Sequence, residues 1–276
     1  MHLEKLERSM MRLSPRGLAR LCAVGLALGI AGIALPAQAQ TQVRTQAQAQ
    51  LPSRDRMIFG LGAASTPEYQ GSDERSTRAI PLIDIARGPF FMNLRNGIGA
   101  YPLEYGDFRF GASIVYIPGF DLPYALGEVS GSVGARLFTD WERDGFNATF
   151  GVTKAVSGDL EGMLVDASLS YRYNVTEKLT LIPVIGTTWS DGDYNQSYFG
   201  VTPIQAASAG ISSFSPGGGF KDVSIGLTAN YRITERVNLT ASATMTKLLG
   251  DARNSPIVFD DTQAFGFIGV SYRFGN

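Results

Sequence analysis

From Arg56 to Phe274 the chain alternates apolar and polar side chains, segment after segment, and a period of two is the signature of strands whose faces meet different surroundings. In "GMLVDASLSYRYN", Met163, Val165, Ala167, Leu169, Tyr171 and Tyr173 share one face, while Leu164, Asp166, Ser168, Ser170 and Arg172 share the other. In "KDVSIGLTANYRI", Val223, Ile225, Leu227, Ala229, Tyr231 and Ile233 oppose Asp222, Ser224, Gly226, Thr228, Asn230 and Arg232. The segments "FRFGASIVY" (108–116), "VNLTASATM" (237–245) and the closing "AFGFIGVSYRFGN" (264–276) repeat the pattern. One face is lipid-compatible and the other is mostly small, polar or charged. A soluble sandwich would carry long Lys and Glu on its second face, whereas Ser, Thr, Gly and Asn suit a narrow lumen.

The amino-terminal region supports the same environment. Lys5, Arg8, Arg12, Arg16 and Arg20 precede the apolar run Leu21–Leu35, and Ala37 and Ala39 flank Gln38 in a small-x-small pattern. Residues 1–39 are expected to be a secretory signal peptide cut after Ala39, because the run is short for a bilayer span. Its removal takes five basic residues together with Glu4 and Glu7, leaving 19 basic and 23 acidic residues and a formal charge of −4. That weak acidity excludes the clustered basic surface of a nucleic-acid binder. His2 and Cys22, the only histidine and cysteine, leave with the same segment. The mature chain then lacks the commonest general base, thiol nucleophile and metal ligands, so the expectation is no enzyme, no cofactor and no metal. Residues 40–55 are Gln-rich with little apolar content, which predicts a flexible periplasmic leader.

These features predict an all-β transmembrane antiparallel barrel over residues 56–276. The expected strands are 56–65, 78–86, 89–95, 98–105, 107–117, 129–139, 145–155, 161–173, 178–190, 220–233, 236–248 and 263–274. Ten strands is the alternative, because Pro81, Pro89 and Pro102 interrupt the region 78–105. The longer connections (66–77, 118–128, 191–219, 249–262) fall on one side. The turns around 87–88, 106, 140–144, 174–177 and 234–235 fall on the other, which puts both termini in the periplasm. Two connections on the long side, the "NG" turn at 96–97 and 156–160, are short. Within the longest loop, Thr202 as cap, Pro203 at the first helical position and Gly210 at the stop predict a short helix that stiffens the loop, with a lid over the mouth as second reading.

Alternation places Tyr171, Tyr173, Tyr231, Tyr272 and Phe274 outward as a periplasmic aromatic girdle. It places Asp166, Arg172, Asp222, Arg232 and Arg273 in the lumen with Arg109 and Arg136. The three arginines that follow girdle tyrosines are expected at one height, with carboxylates or ordered water among them, in a narrow or blocked lumen. Asp166 and Asp222 are read as ion-pair partners of lumen arginines rather than as a catalytic pair. The acidic cluster Glu68, Asp73 and Glu74 is read as a solvated loop rather than a cation site.

Three stretches resemble the MipA/OmpV family of outer-membrane proteins: "GLGAASTPEYQGSDE" (60–74), "YNQSYFGVTPIQAASAGISSFSPGGGFKDVSIGL" (194–227) and "KLLGDARNSPIV" (247–258) with the closing "SYRF" (271–274). Gly275-Asn276 departs from the family's usual terminal aromatic. The resemblance implies an outer-membrane barrel in contact with lipid and lipopolysaccharide. It also implies a structural scaffold that brings a lytic transglycosylase together with a bifunctional penicillin-binding protein. It carries no family active site.

Overall fold

Successive side chains of a strand point to opposite faces, and a sheet built of such strands avoids unpaired edges by closing on itself. The computed structural model describes residues 55–275, in which twelve antiparallel strands do this. They are β1 Arg56–Pro67, β2 Arg75–Arg87, β3 Phe90–Asn93, β4 Gly97–Tyr105, β5 Phe108–Ile117 and β6 Ser132–Arg143. The ring continues with β7 Phe146–Ser157, β8 Met163–Tyr171, β9 Leu179–Ser190, β10 Gly219–Arg232, β11 Val237–Leu248 and β12 Thr262–Phe274. Tyr173–Asn174 prolongs β8 beyond Arg172 and pairs with β9. The barrel shuts where β1 meets β12, with Met57 opposite Phe274 and Ser65 opposite Gly266. Gly60 makes a close approach at this seam: a Cβ there would lie 2.3 Å from the Val270 carbonyl oxygen.

Of the two expected strand counts, the larger one forms. Each proline in the irregular region has a place. Pro89 lies in the β2–β3 turn, Pro102 lies at a register shift in β4, and Pro81 lies in a part of β2 that has a partner on one side only. Strand bounds differ most here: β2 starts at Arg75, and β3 is only four residues long.

The inside–outside alternation follows the pattern of the sequence. Leu61, Ile98, Ile114, Leu137, Phe150, Ile185, Ile225 and Ile268 are exposed on the outer wall. An apolar surface that runs round the whole barrel is far larger than the patches of water-soluble monomers. Among the described residues no helix is long and apolar enough to cross a membrane; the strands are the spanning elements. On β10, Leu227 is 46% exposed and Thr228 only 1%. The cleavage positions Ala37 and Ala39, the rest of segment 1–39 and leader residues 40–54 lie outside the described residues.

One end of the barrel carries tight turns and the other the long loops. The long-loop end folds into a core of its own. The helix expected from Thr202 is α2, Pro203–Ala209, closed by a reciprocal capping box between Thr202 and Gln205 and by Gly210 in the left-handed conformation. Before it lies a helix the sequence reading did not anticipate, α1, Gly192–Phe199, whose cap is Asp191 accepting from the Tyr194 N–H at 2.9 Å. A third single-turn helix, α3, spans Gly250–Arg253.

Candidate functional site: the charged interior and its plug

The loops meet in an apolar cluster at the long-loop end. Tyr69, Phe120, Val129, Leu160, Tyr194, Tyr198 and Phe199 pack with Val115 and Ile117 at the end of β5. Rings stack in series: Tyr69 lies 6.0 Å from Phe120, Phe120 lies 4.3 Å from Tyr198, and Tyr198 lies 5.9 Å from Tyr194. The loop after β1 is pinned to this cluster, since the Gln70 N–H donates to the Tyr198 hydroxyl at 2.9 Å and the Tyr69 hydroxyl donates to the Ile257 carbonyl at 3.0 Å. Burial raises the pKa of both Tyr69 and Tyr198 above the usual phenolic value. Five loops distant in sequence thus build a plug, the fifth through Ala252 of α3.

Under the plug sits a buried polar triad. The Lys221 ammonium donates to Asp222 Oδ2 and to Gln70 Oε1, each at 2.6 Å, and Gln70 Nε2 donates to Asp222 Oδ2 at 3.2 Å. Simple alternation turns Lys221 outward. The register shift between β9 and β10 at Thr188/Trp189 is a bulge that lets both Lys221 and Asp222 face inward. Asp222 therefore pairs with a lysine rather than with the arginine that sequence reasoning assigned to it.

Further along the interior, Arg136 on β6 reaches Asp166 on β8. Its Nη2 lies 2.8 Å from Oδ2, its Nη1 also bonds Asp166, and Nη1 donates to Thr153 Oγ1 at 2.9 Å. Gly151 leaves the room: a Cβ there would lie 2.2 Å from Arg136 Nη2. Asp140 accepts from the Tyr101 hydroxyl at 2.9 Å and from Thr149 Oγ1 at 2.7 Å, and the Arg109 guanidinium stands 4.8 Å over the Tyr101 ring. Arg95 completes the group. It belongs to the Leu94–Asn96 turn between β3 and β4, is buried, and reaches across the ring to donate to Ser168 Oγ on β8 at 3.1 Å. The charges therefore gather on the β3–β8 side. Beyond the Lys221–Asp222 pair, the inner face of β10 to β12 carries small uncharged groups instead, among them Thr228, Ser242, Thr244 and Ser271.

The three arginines after the tyrosines do not form one inward ring. Arg172 is half-buried with Glu142 as its carboxylate neighbour. Arg232 is exposed and donates to the Glu177 carbonyl of the adjoining turn, while Arg273 is exposed on the rim. Strands β10 and β12 end there, so no facing wall encloses the last inward position. Tyr171, Tyr173, Tyr231, Tyr272 and Phe274 are all exposed at the short-turn end. Glu68, Asp73 and Glu74 are exposed, and among the described residues no group of three acidic, histidine or cysteine side chains is placed to hold a metal ion. Sequence reasoning missed Arg95, Lys221, Tyr101 and Asp140; only the inward parity of Asp140 was available to find any of them.

Comparison with known proteins places this barrel. A putative outer membrane protein YiaT of Escherichia coli is 27% identical over 79% of this chain and 91% of that protein. The MltA-interacting protein of the same species is 26% identical over 41% of this chain and 45% of its own length. Outer membrane protein Omp26La of Vibrio anguillarum is 34% identical over 34% of this chain and 36% of its own. Among solved structures, the KdgM porin aligns at a TM-score of 0.43 and 9% identity over 79% of this chain and 99% of that one. The family described as MltA-interacting protein MipA matches residues 59–274, nearly the whole barrel. The chain is an outer-membrane β-barrel and belongs to the MipA family.

Proposed function

We propose that the protein is a closed, non-catalytic barrel that serves as a docking scaffold for murein-remodelling enzymes. The observation that carries this reading is the plug: Tyr69, Phe120 and Tyr198 stack across the long-loop end above the buried Lys221–Asp222 pair. An apolar core in the mouth, with Arg95 spanning the interior below it, is poor construction for a solute path. The long-loop end is then extracellular and the turn end periplasmic, with Tyr171, Tyr173, Tyr231, Tyr272 and Phe274 as the girdle in the inner leaflet. Phospholipid and lipopolysaccharide surround the wall. The periplasmic turns and the leader 40–55 form the partner surface. A relative named for its interaction with MltA supports a protein partner; a lytic transglycosylase, and with it a penicillin-binding protein, are the partner classes that the family resemblance implies.

Planar-bilayer recording and partner capture test the reading together. The wild-type barrel is expected to give no stable conductance, and the full mature chain is expected to retain a murein transglycosylase from detergent-solubilised envelopes, less so without residues 40–55. Stable large conductance with no capture would reverse the assignment. A channel for small solutes or an antibiotic is the second reading, favoured by the small uncharged groups, such as Thr228, Ser242 and Thr244, on the inner face of β10 and β11 beyond the Lys221–Asp222 pair.

A further inference from the structure

The barrel wall has a gap. β3 pairs with β2 only along Asp84–Arg87, yet β2 runs up to Arg75, so among the described residues Arg75–Ile83 has its ladder with β1 and no wall strand on the other side. On the far flank, β4 pairs with β5 only as far as Ile114, and β5 continues to Ile117 with β6 alone. The cause is the short β3–β4 hairpin, whose turn bends inward to deliver Arg95 to Ser168 instead of rising to the rim. Two half-strands are therefore missing from the long-loop half of the wall.

A cavity of about 350 Å³ occupies that place. Its lining includes Arg78, which alternation points inward from β2, and Tyr116, which points outward from β5. The cavity thus touches both an inward and an outward residue where the wall is incomplete. Overhead, Phe120–Asp121 and Glu128–Val129 form a two-rung hairpin whose apolar members sink into the plug and whose acidic members, Asp121 and Glu128, stay exposed toward the cavity. Glu68 lines it from the β1–β2 loop.

Backbone edges facing hydrocarbon without partners are strongly unfavourable, so a gap at this level needs polar matter in it. Three carboxylates against one guanidinium select a cation. The phenol of Tyr116, the ring of Phe120 and Val129 offer an apolar and aromatic bed, and aromatic faces attract cations as well. The size falls within the range of small-molecule sites. We propose that the gap between β2 and β5 is a lateral binding site for an amphipathic organic cation, a protonated amine on a short apolar body, entering from the outer wall. The ammonium sits among Glu68, Asp121 and Glu128, and the apolar body lies along Tyr116 and Phe120. The site is separate from the partner surface proposed above, and neither conductance nor partner capture reports on it.

Fluorescence titration of the detergent-purified full barrel with dansylcadaverine tests it, with anionic dansylglycine as counterpart. Saturable dansylcadaverine binding is expected, weakened at least tenfold by Asp121→Asn with Glu128→Gln and also by Tyr116→Ala. Dansylglycine should not saturate. Both carboxylates are exposed, so the variants should keep the heat-dependent gel shift of a folded barrel; should the double variant lose it, single Glu128→Gln is read instead. Signal that fails to saturate, that is unchanged in the folded variants, or that is equal for the anionic probe overturns the proposal.

Discussion

Lys221 and Asp222 are consecutive residues of one strand, yet both side chains face the interior and meet at 2.6 Å. Only the bulge makes this possible. Removing one partner strands the other as a buried charge, at a cost of about 3–5 kcal/mol, whereas removing both leaves no buried charge and only the Gln70 amide to find new partners. Lys221→Met is therefore expected to lower the temperature of the heat-dependent gel shift markedly, and Lys221→Met with Asp222→Leu to recover much of the loss. A double variant no better than the additive sum would show that the pair is not coupled.

Leu227 and Thr228 test the facing of the wall. Arginine at Leu227 would project into hydrocarbon, where near mid-bilayer it costs roughly 2–4 kcal/mol. Arginine at Thr228 would enter an interior that already houses guanidinium groups. Folding yields into lipid vesicles are expected to fall much further for Leu227→Arg, and equal yields would contradict the facing.

Gly151→Val places a side chain where the Arg136 guanidinium now lies. The Arg136–Asp166 pair should break, with a destabilisation of about 3–5 kcal/mol because the buried Arg136 guanidinium loses its carboxylate. Asp166→Asn in the Gly151→Val background should then add little. Independent, additive effects of the two substitutions in equilibrium unfolding would show that Gly151 does not act through Arg136.

The plug carries its own pH signature. Burial raises the folded-state pKa of Tyr69 and Tyr198 above the value of about 10 for an exposed phenol. Both must stay protonated while folded, so their contribution is complete below about pH 10 and is lost as pH rises toward the folded-state value. Proteolysis of the loops is expected to be constant from neutral pH to about 10 and to accelerate above it, with Tyr198→Phe delaying the onset. Tyr198→Ala should open the mouth instead, seen as new conductance in planar bilayers. Its failure to change either conductance or loop proteolysis would remove Tyr198 from the closure.

The wall was legible in the sequence because membrane and lumen impose opposite chemistries on alternate residues, and segments such as 165–171 and 222–230 keep that contrast without a break. The capped helix at Thr202 was legible for an equally local reason. Where the backbone departs from period two, reading failed: the bulge turns Lys221 inward, and the inward bend at Leu94–Asn96 hides Arg95, which looks like an ordinary turn residue. The plug was missed because its members, Tyr69, Phe120, Leu160, Tyr198 and Ala252, come from five loops and make sense only once the ring brings those loops together. Arg232 and Arg273 have the right parity for the lumen, but parity says nothing about where a strand ends.

The seam between β1 and β12 sets a timetable for assembly. Met57 finds its ladder partner in Phe274, so the first strand to emerge from the secretion machinery must wait for the last. Throughout that interval the outer edge of β1, and that of the strand most recently emerged, stay available to any other strand, in a compartment where concentrated neighbours offer many. An open sheet of this kind needs shielding until its final strand arrives, and a truncation that removed β12 would leave it with no means of closing.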